Sequence, residues 1–184
     1  MSRRRLHYER AFESLLRTRA IPHITVDEAH KALMQSPDRD QRLPSPSMQS
    51  LKSFDFIISG DTRNLLVDVK GRKIGRGSHL ESWVTLEDVE SLTVWQRLFG
   101  ADFEAGFIFM YWCDRQPPDA LFQDIMEDRG RWYAMRHVAL ADYTRHMRTR
   151  SAKWGTVHVP GAAFERISRP FMPTRTPRVA AMAG

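Results

Sequence analysis

Two carboxylates and a lysine stand close together in the segments FDFIIS, Phe54 to Ser59, and NLLVDVKGRK, Asn64 to Lys73. Asp68 and Lys70 are two positions apart in an aliphatic run that reads as a buried strand, so both side chains point to one face. FDFIIS reads as its antiparallel neighbour across the turn GDTRN, which sets Asp55 opposite them. Two acids this close repel each other unless a proton, a lysine or a divalent cation relieves them. Magnesium, held by a couple of carboxylates and several waters, suits that arrangement. A lysine two residues on then reaches a phosphate or a water, and the chemistry is metal-assisted phosphodiester hydrolysis. The plainer alternative is an ion pair between Asp55 and Lys70 on the solvated face of a hairpin.

The flanking elements must position these groups. From Leu6 to Arg19 the pattern is helical, with Tyr8, Phe12, Leu15 and Leu16 on one apolar stripe. Glu9 borders that stripe beside Leu16, at the edge from which a carboxylate reaches over a sheet. Glu13 lies one turn on and further toward solvent. Pro22 ends the helix, and HITVDEA follows as a strand. Residues 36–53, rich in Pro, Ser and charge, read as a long flexible loop. After the basic glycine loop GRKIGRGSH, Thr85 caps a second helix with Asp88 three residues on, and Gly100 closes it after Phe99. EAGFIFMYW is apolar throughout, as a central strand covered on both faces is. A short helix over 120–127, a strand WYAMRHVAL, a helix ADYTRHMRTR and a strand GTVHVP complete an α/β layering with a mixed sheet. The division is one domain over 1–168 and a basic, disordered tail over 169–184.

A helix bearing a glutamate, then FDFII, then LLVDVKGRK resembles the PD-(D/E)xK nuclease superfamily, and most of all its archaeal Holliday-junction-resolvase-like branch. The start HYERAFE, His7 to Glu13, is also similar to the signature of the HYExAFE proteins. The resemblance covers roughly residues 6–112. It implies a restriction-endonuclease-like core and a magnesium- or manganese-dependent endonuclease acting on DNA, with structured or branched DNA in repair or recombination as the expected substrate. It further implies that Asp55 and Asp68 bind the metal with the Val69 carbonyl, that Lys70 orients or activates the water, and that Glu9 completes the site. It also implies a homodimer, although no stretch of the sequence identifies a dimer face. Phe54 stands where the superfamily often has proline, and Asp68 where the resolvases usually have glutamate.

Composition describes a globular protein whose positive charge either favours an anionic partner such as nucleic acid or marks only a mildly basic surface enlarged by a basic tail. The chain has 184 residues, 42% apolar and 27% charged, with a net charge of +6. Arg72, Lys73 and Arg76 form a candidate phosphate clamp among glycines, and Trp83 just beyond either stacks on a base or packs the loop down. His7, Glu13 and Gln96 are candidate supporting residues around the acids. His137 and His146 are too far apart in sequence for an i, i+4 zinc pair. The single cysteine, Cys113, excludes an internal disulfide. No segment carries the run of about 20 apolar residues that spans a bilayer, and no signal-peptide pattern opens the chain, so a cytoplasmic location is expected. A non-catalytic nucleic-acid-binding module keeping the same fold is the main alternative, and a protein-interaction role is the third.

Overall fold

A computed structural model describes residues 6–26, 51–60, 62–74, 80–114 and 125–171. Helix α1 (Leu6–Thr18) leads to strands β1 (His23–Thr25), β2 (Phe56–Ile58) and β3 (Asn64–Ile74). Strand β4 (Val84–Thr85) and helix α2 (Leu86–Phe99) connect β3 to β5 (Phe103–Cys113). Strands β6 (Ile125–Asp128) and β7 (Arg131–Ala139), helix α3 (Leu140–His146), strands β8 (Arg148–Ser151) and β9 (Thr156–His158), and helix α4 (Gly161–Ile167) follow.

The main sheet has six strands in the order β1-β2-β3-β5-β7-β6. Every pairing in it is antiparallel except β3 with β5. A parallel pair needs a crossover, and α2 supplies it. The expected α/β architecture with a central mixed sheet flanked by helices is what the chain forms. A second sheet of three short strands, β4-β9-β8, lies beside it.

The core has two layers because strand side chains alternate. Phe107, Phe109 and Tyr111 of β5 pack with Val89, Leu92 and Trp95 of α2, Tyr143 of α3 and Phe164 of α4. Ile108 and Met110 point the other way, onto Phe12, Leu15 and Leu16 of α1. On β3, Leu66 belongs to the first layer, whereas Val67 and Val69 belong to the second. Asp68, Lys70 and Arg72 therefore share Leu66's face, toward α2. Gly71 faces α1 so closely that a Cβ there would sit inside the ring of Tyr8. That contact accounts for a glycine in the middle of a strand.

Three local expectations need correction. GRKI, read as the start of a loop, continues β3, because Ile74 still pairs with Cys113 of β5; residues 75–79 lie outside the described ones. The helix expected over 141–150 stops at His146, and Arg148–Ser151 becomes a strand paired with β9. Residues 125–127, expected to end a short helix, belong instead to the edge strand β6 against β7, and 120–124 are outside the described residues. So is most of the loop over 36–53; its last residues, 51–53, are described.

The sequence reading puts residues 169–171 in the tail. In the structure, His137 N–H donates to Arg169 O at 2.7 Å and Arg169 N–H donates back to His137 O at 2.8 Å. Phe171 is buried against Phe12, ring centroids 5.2 Å apart.

Candidate active site

The site is built where β2 leaves β3. The ladder between them runs from Ile58↔Leu65 to Phe56↔Val67, and Asp55 N–H still donates to Val67 O at 2.8 Å. One step further, the Val69 amide has lost its strand partner, and Asp55 takes its place: Val69 N–H donates to Asp55 Oδ2 at 2.6 Å. A carboxylate thus substitutes for a strand residue and is held rigidly at the mouth of the hairpin.

Asp68 reaches the same point from β3. It is 7% exposed, and Asp55 lies within hydrogen-bonding reach of it. Burial pushes Asp55 well above the ordinary carboxylate range, and the charges of Asp68 and Glu9 push it further against the pull of the Val69 amide and Lys70. Burial also raises Asp68, assisted by Asp88 and opposed by Lys70. The two acids therefore form a strained pair that gains from a shared proton or an added cation.

Lys70 is the counter-charge. Its Nζ lies 2.8 Å from Asp68 Oδ2 and 3.2 Å from Asp88 Oδ2. Burial alone would lower its pKa, but the charges of Asp68, Asp88 and Asp55 outweigh it and the net shift is upward. Lys70 is an ammonium at neutral pH. The ion pair between Asp55 and Lys70 weighed from the sequence is not the arrangement found; both lysine contacts go to other acids.

Asp88 and Lys52 complete the charge array, and both escaped sequence reading as site residues. Thr85 N–H donates to Asp88 Oδ2 at 2.9 Å and Asp88 N–H donates to Thr85 Oγ1 at 3.1 Å, which is the expected capping box of α2. The same carboxylate also accepts from Lys52 Nζ at 3.0 Å. Burial would raise Asp88, but Lys70, the Thr85 groups and Lys52 bring it down to about 2. Lys52 further reaches Glu87 at 2.9 Å. The capping motif was the available signal for Asp88; Lys52 stands in an aperiodic Pro/Ser-rich segment that offers none.

Glu9 lies on α1, and its charge is felt at Asp55. The other candidates are placed elsewhere. His7 Nδ1 hydrogen-bonds the Tyr133 hydroxyl at 2.9 Å in an aromatic cluster with Tyr8 and Trp112. Glu13 pairs with Arg17 at 2.7 Å, one helical turn away. Gln96 Oε1 accepts from Ala105 N–H at 3.0 Å, tying α2 to the start of β5. Arg72 and Lys73 alternate to opposite faces of β3. The Arg72 guanidinium donates to Gly71 O and Trp83 O and lies 4.0 Å from the Trp83 ring centroid. Lys73 pairs with Asp114 at 3.1 Å and lies over Trp112. Arg76 is outside the described residues.

The donor set fits a hard divalent cation. Asp55 and Asp68 are oxygen ligands under mutual repulsion, and magnesium takes one or two carboxylates plus water. Among the described residues, no three His, Cys, Asp or Glu side chains converge as a metal-binding group. No helix among the described residues is long and apolar enough to cross a membrane.

No family model matches the chain, and comparison with curated proteins finds no match. Among solved structures, the chain is similar to the Holliday junction resolvase Hjc of the archaeal hyperthermophile Archaeoglobus fulgidus, at 14% identity over 90% of each chain and a TM-score of 0.48. A likeness this distant says nothing of what this chain does.

Proposed function

We propose that this protein is a divalent-metal-dependent endonuclease that hydrolyses phosphodiester bonds in DNA, with branched or otherwise structured DNA in repair or recombination as its substrate class. One observation carries the reading. Two carboxylates, the half-buried Asp55 and the buried Asp68, are forced together at a strand junction, with the Lys70 ammonium 2.8 Å from one of them. A purely structural site gains nothing from such repulsion, whereas a cation site is prepared by it. Order along the chain agrees: helix glutamate, acid at the hairpin mouth, then acid-x-Lys on the next strand, as in the superfamily that the sequence resembles.

Asp55 and Asp68 would hold the ion, and Glu9 would adjust the field around it. The bound cation would supply charge neutralisation and Lewis acidity at the scissile phosphate. Lys70, always protonated here, donates hydrogen bonds and stabilises negative charge as it builds on the phosphate oxygens. Asp88, 3.2 Å from Lys70 Nζ, holds the ammonium together with Asp68 and limits its freedom to swing. Val69 keeps Asp55 in its rotamer through the 2.6 Å amide contact.

A second reading has its own support. Lys70 bonded by both Asp68 and Asp88 closes the charge array without any ion, as a nucleic-acid-binding module that keeps the fold would do. Cleavage separates the two. Labelled four-way junction, flap, duplex, single-stranded DNA and RNA are incubated with magnesium, manganese or chelator, with wild type beside Asp68→Ala and Lys70→Ala. The nuclease reading expects metal-dependent cutting that falls at least about 100-fold in both variants. Absence of cutting on every substrate, with binding unchanged in both variants, would overturn it in favour of the binding module.

A further inference from the structure

The β8–β9 hairpin takes no part in the site described above, yet its composition is unusual. No Asp or Glu stands between Asp142 and Glu165, while Arg148, Arg150 and Lys153 all do. All three cations are exposed. At the tip, Trp154 is 73% exposed, against 43% for Ile24 and 40% for Leu86, the other exposed large hydrophobics among the described residues. The remaining tryptophans are occupied within the fold. Trp95 is buried, Trp132 is half-buried against the core, Trp83 lies beneath Arg72 and Arg150, and Trp112 beneath Lys73 and Arg131.

The tip is fixed rather than frayed. Gly155 N–H donates to Ala152 O at 3.2 Å, Trp154 N–H donates to Ser151 Oγ at 3.4 Å, and Gly155 takes the φ of 54° that the turn needs. It is also placed. Gly155 O accepts from Leu86 N–H at 2.7 Å, the first residue of α2, and Thr156 pairs with Thr85. The turn that carries the exposed indole is therefore joined through its backbone to the helix end whose Asp88 touches Lys70.

We propose that this tip is a nucleic-acid contact in which Trp154 stacks on an unpaired or unstacked base while Arg148 and Lys153 hold adjoining phosphates. Base stacking on an exposed indole tolerates any sequence, since every base has a π-face, and flanking cations supply the phosphate attraction. Arg150 is engaged with Glu81 at 3.8 Å and with Trp83, whereas the exposed Lys153 ammonium lies 5.5 Å from the Trp154 ring centroid, covering one face of the indole and leaving the other for a base, and Arg148 is exposed on the same hairpin. Charge selects the partner: an acid-free, cationic hairpin suits a polyanion and repels a basic surface. The inference rests on the nuclease reading only in taking DNA as the polyanion.

Binding without cleavage tests it. Fluorescence anisotropy in chelator, with the full chain, compares single-stranded DNA, a duplex with one unpaired base and a fully paired duplex. Trp154→Ala is expected to weaken the first two by roughly 5- to 150-fold, the equivalent of ~1–3 kcal/mol of stacking per base, and the paired duplex by less than about twofold. Trp154→Phe should retain most of the affinity. The double variant Arg148→Ala/Lys153→Ala should lower the salt slope by about 1 to 2 on every substrate. Unchanged binding in Trp154→Ala, equal loss on all three substrates, or no wild-type binding to any of them would overturn the proposal. Cutting by wild type with Trp154→Ala binding unchanged would sink the hairpin contact alone. Stacking without any cutting would sink the nuclease reading alone.

Discussion

The Val69 amide and the Asp55 carboxylate meet at 2.6 Å where β2 parts from β3, so a side chain completes a ladder that the backbone leaves open. The bond fixes Asp55 and also makes it hard to remove without harm to the strand. Asp55→Ala leaves a buried donor unmatched and should destabilise the fold by about 1–3 kcal/mol in denaturant unfolding. Asp55→Asn keeps an acceptor for Val69 and removes a charge that repels Asp68. It should melt higher than wild type at neutral pH, without added metal, while losing cleavage. A lower melting temperature for Asp55→Asn would show that the repulsion is not real.

The raised pKa of Asp55 sets a pH signature. The folded state holds the proton to higher pH than the unfolded chain, whose value is 3.8. The stabilising contribution is thus full below about that value and is lost as pH rises through the raised folded value. Apo wild type should lose stability over that window, Asp55→Asn should not, and millimolar magnesium should flatten the wild-type slope. Thermal melts from pH 4 to 8, with and without magnesium, check all three.

His137 imposes the opposite slope. Burial, with the nearby Arg169 charge, brings it down from 6.5 to about 4, and its Nε2 has no hydrogen-bond partner among the described residues. The unfolded chain takes up the proton first, so stability falls as pH drops from about 6.5 to about 4. The loss approaches ~3 kcal/mol at the lower end. His137→Gln should remove this component, leaving acid unfolding shallower in urea titrations between those pH values.

Gly71 packs beneath the Tyr8 ring with no room for a Cβ. Gly71→Ala should cost about 1–3 kcal/mol as α1 is levered off the sheet. In a Tyr8→Leu background the same substitution should cost clearly less, and a double-mutant cycle measures the difference. Equal costs in both backgrounds would place the strain elsewhere.

Much of this arrangement was legible because it is local. The stripe of α1, the hairpin carrying Asp55 and Asp68, and the capping box at Thr85 and Asp88 each follow from patterns within a few residues. What escaped depends on distant partners. Strand β3 runs on through Ile74 because β5 continues beside it, and no local signal in GRKI reports that. Arg148–Ser151 has helix-compatible residues yet becomes a strand because β9 is available to pair with it. Lys52 meets Asp88 across 36 residues of chain, a proximity that one sequence does not encode in any readable spacing. Arg72 and Lys73 looked like one clamp, but strand alternation sends them to opposite faces.

Cation binding to the paired carboxylates tests the central claim most directly, because it requires no knowledge of the substrate. Manganese is titrated calorimetrically into wild type, Asp55→Asn and Asp68→Asn at neutral pH, with each variant's melting curve recorded alongside. Saturable binding of one ion by wild type, weakened at least about tenfold in both folded variants, is the predicted result. Equal affinity in all three proteins, or no binding by wild type, would show that Asp55 and Asp68 do not form a metal site.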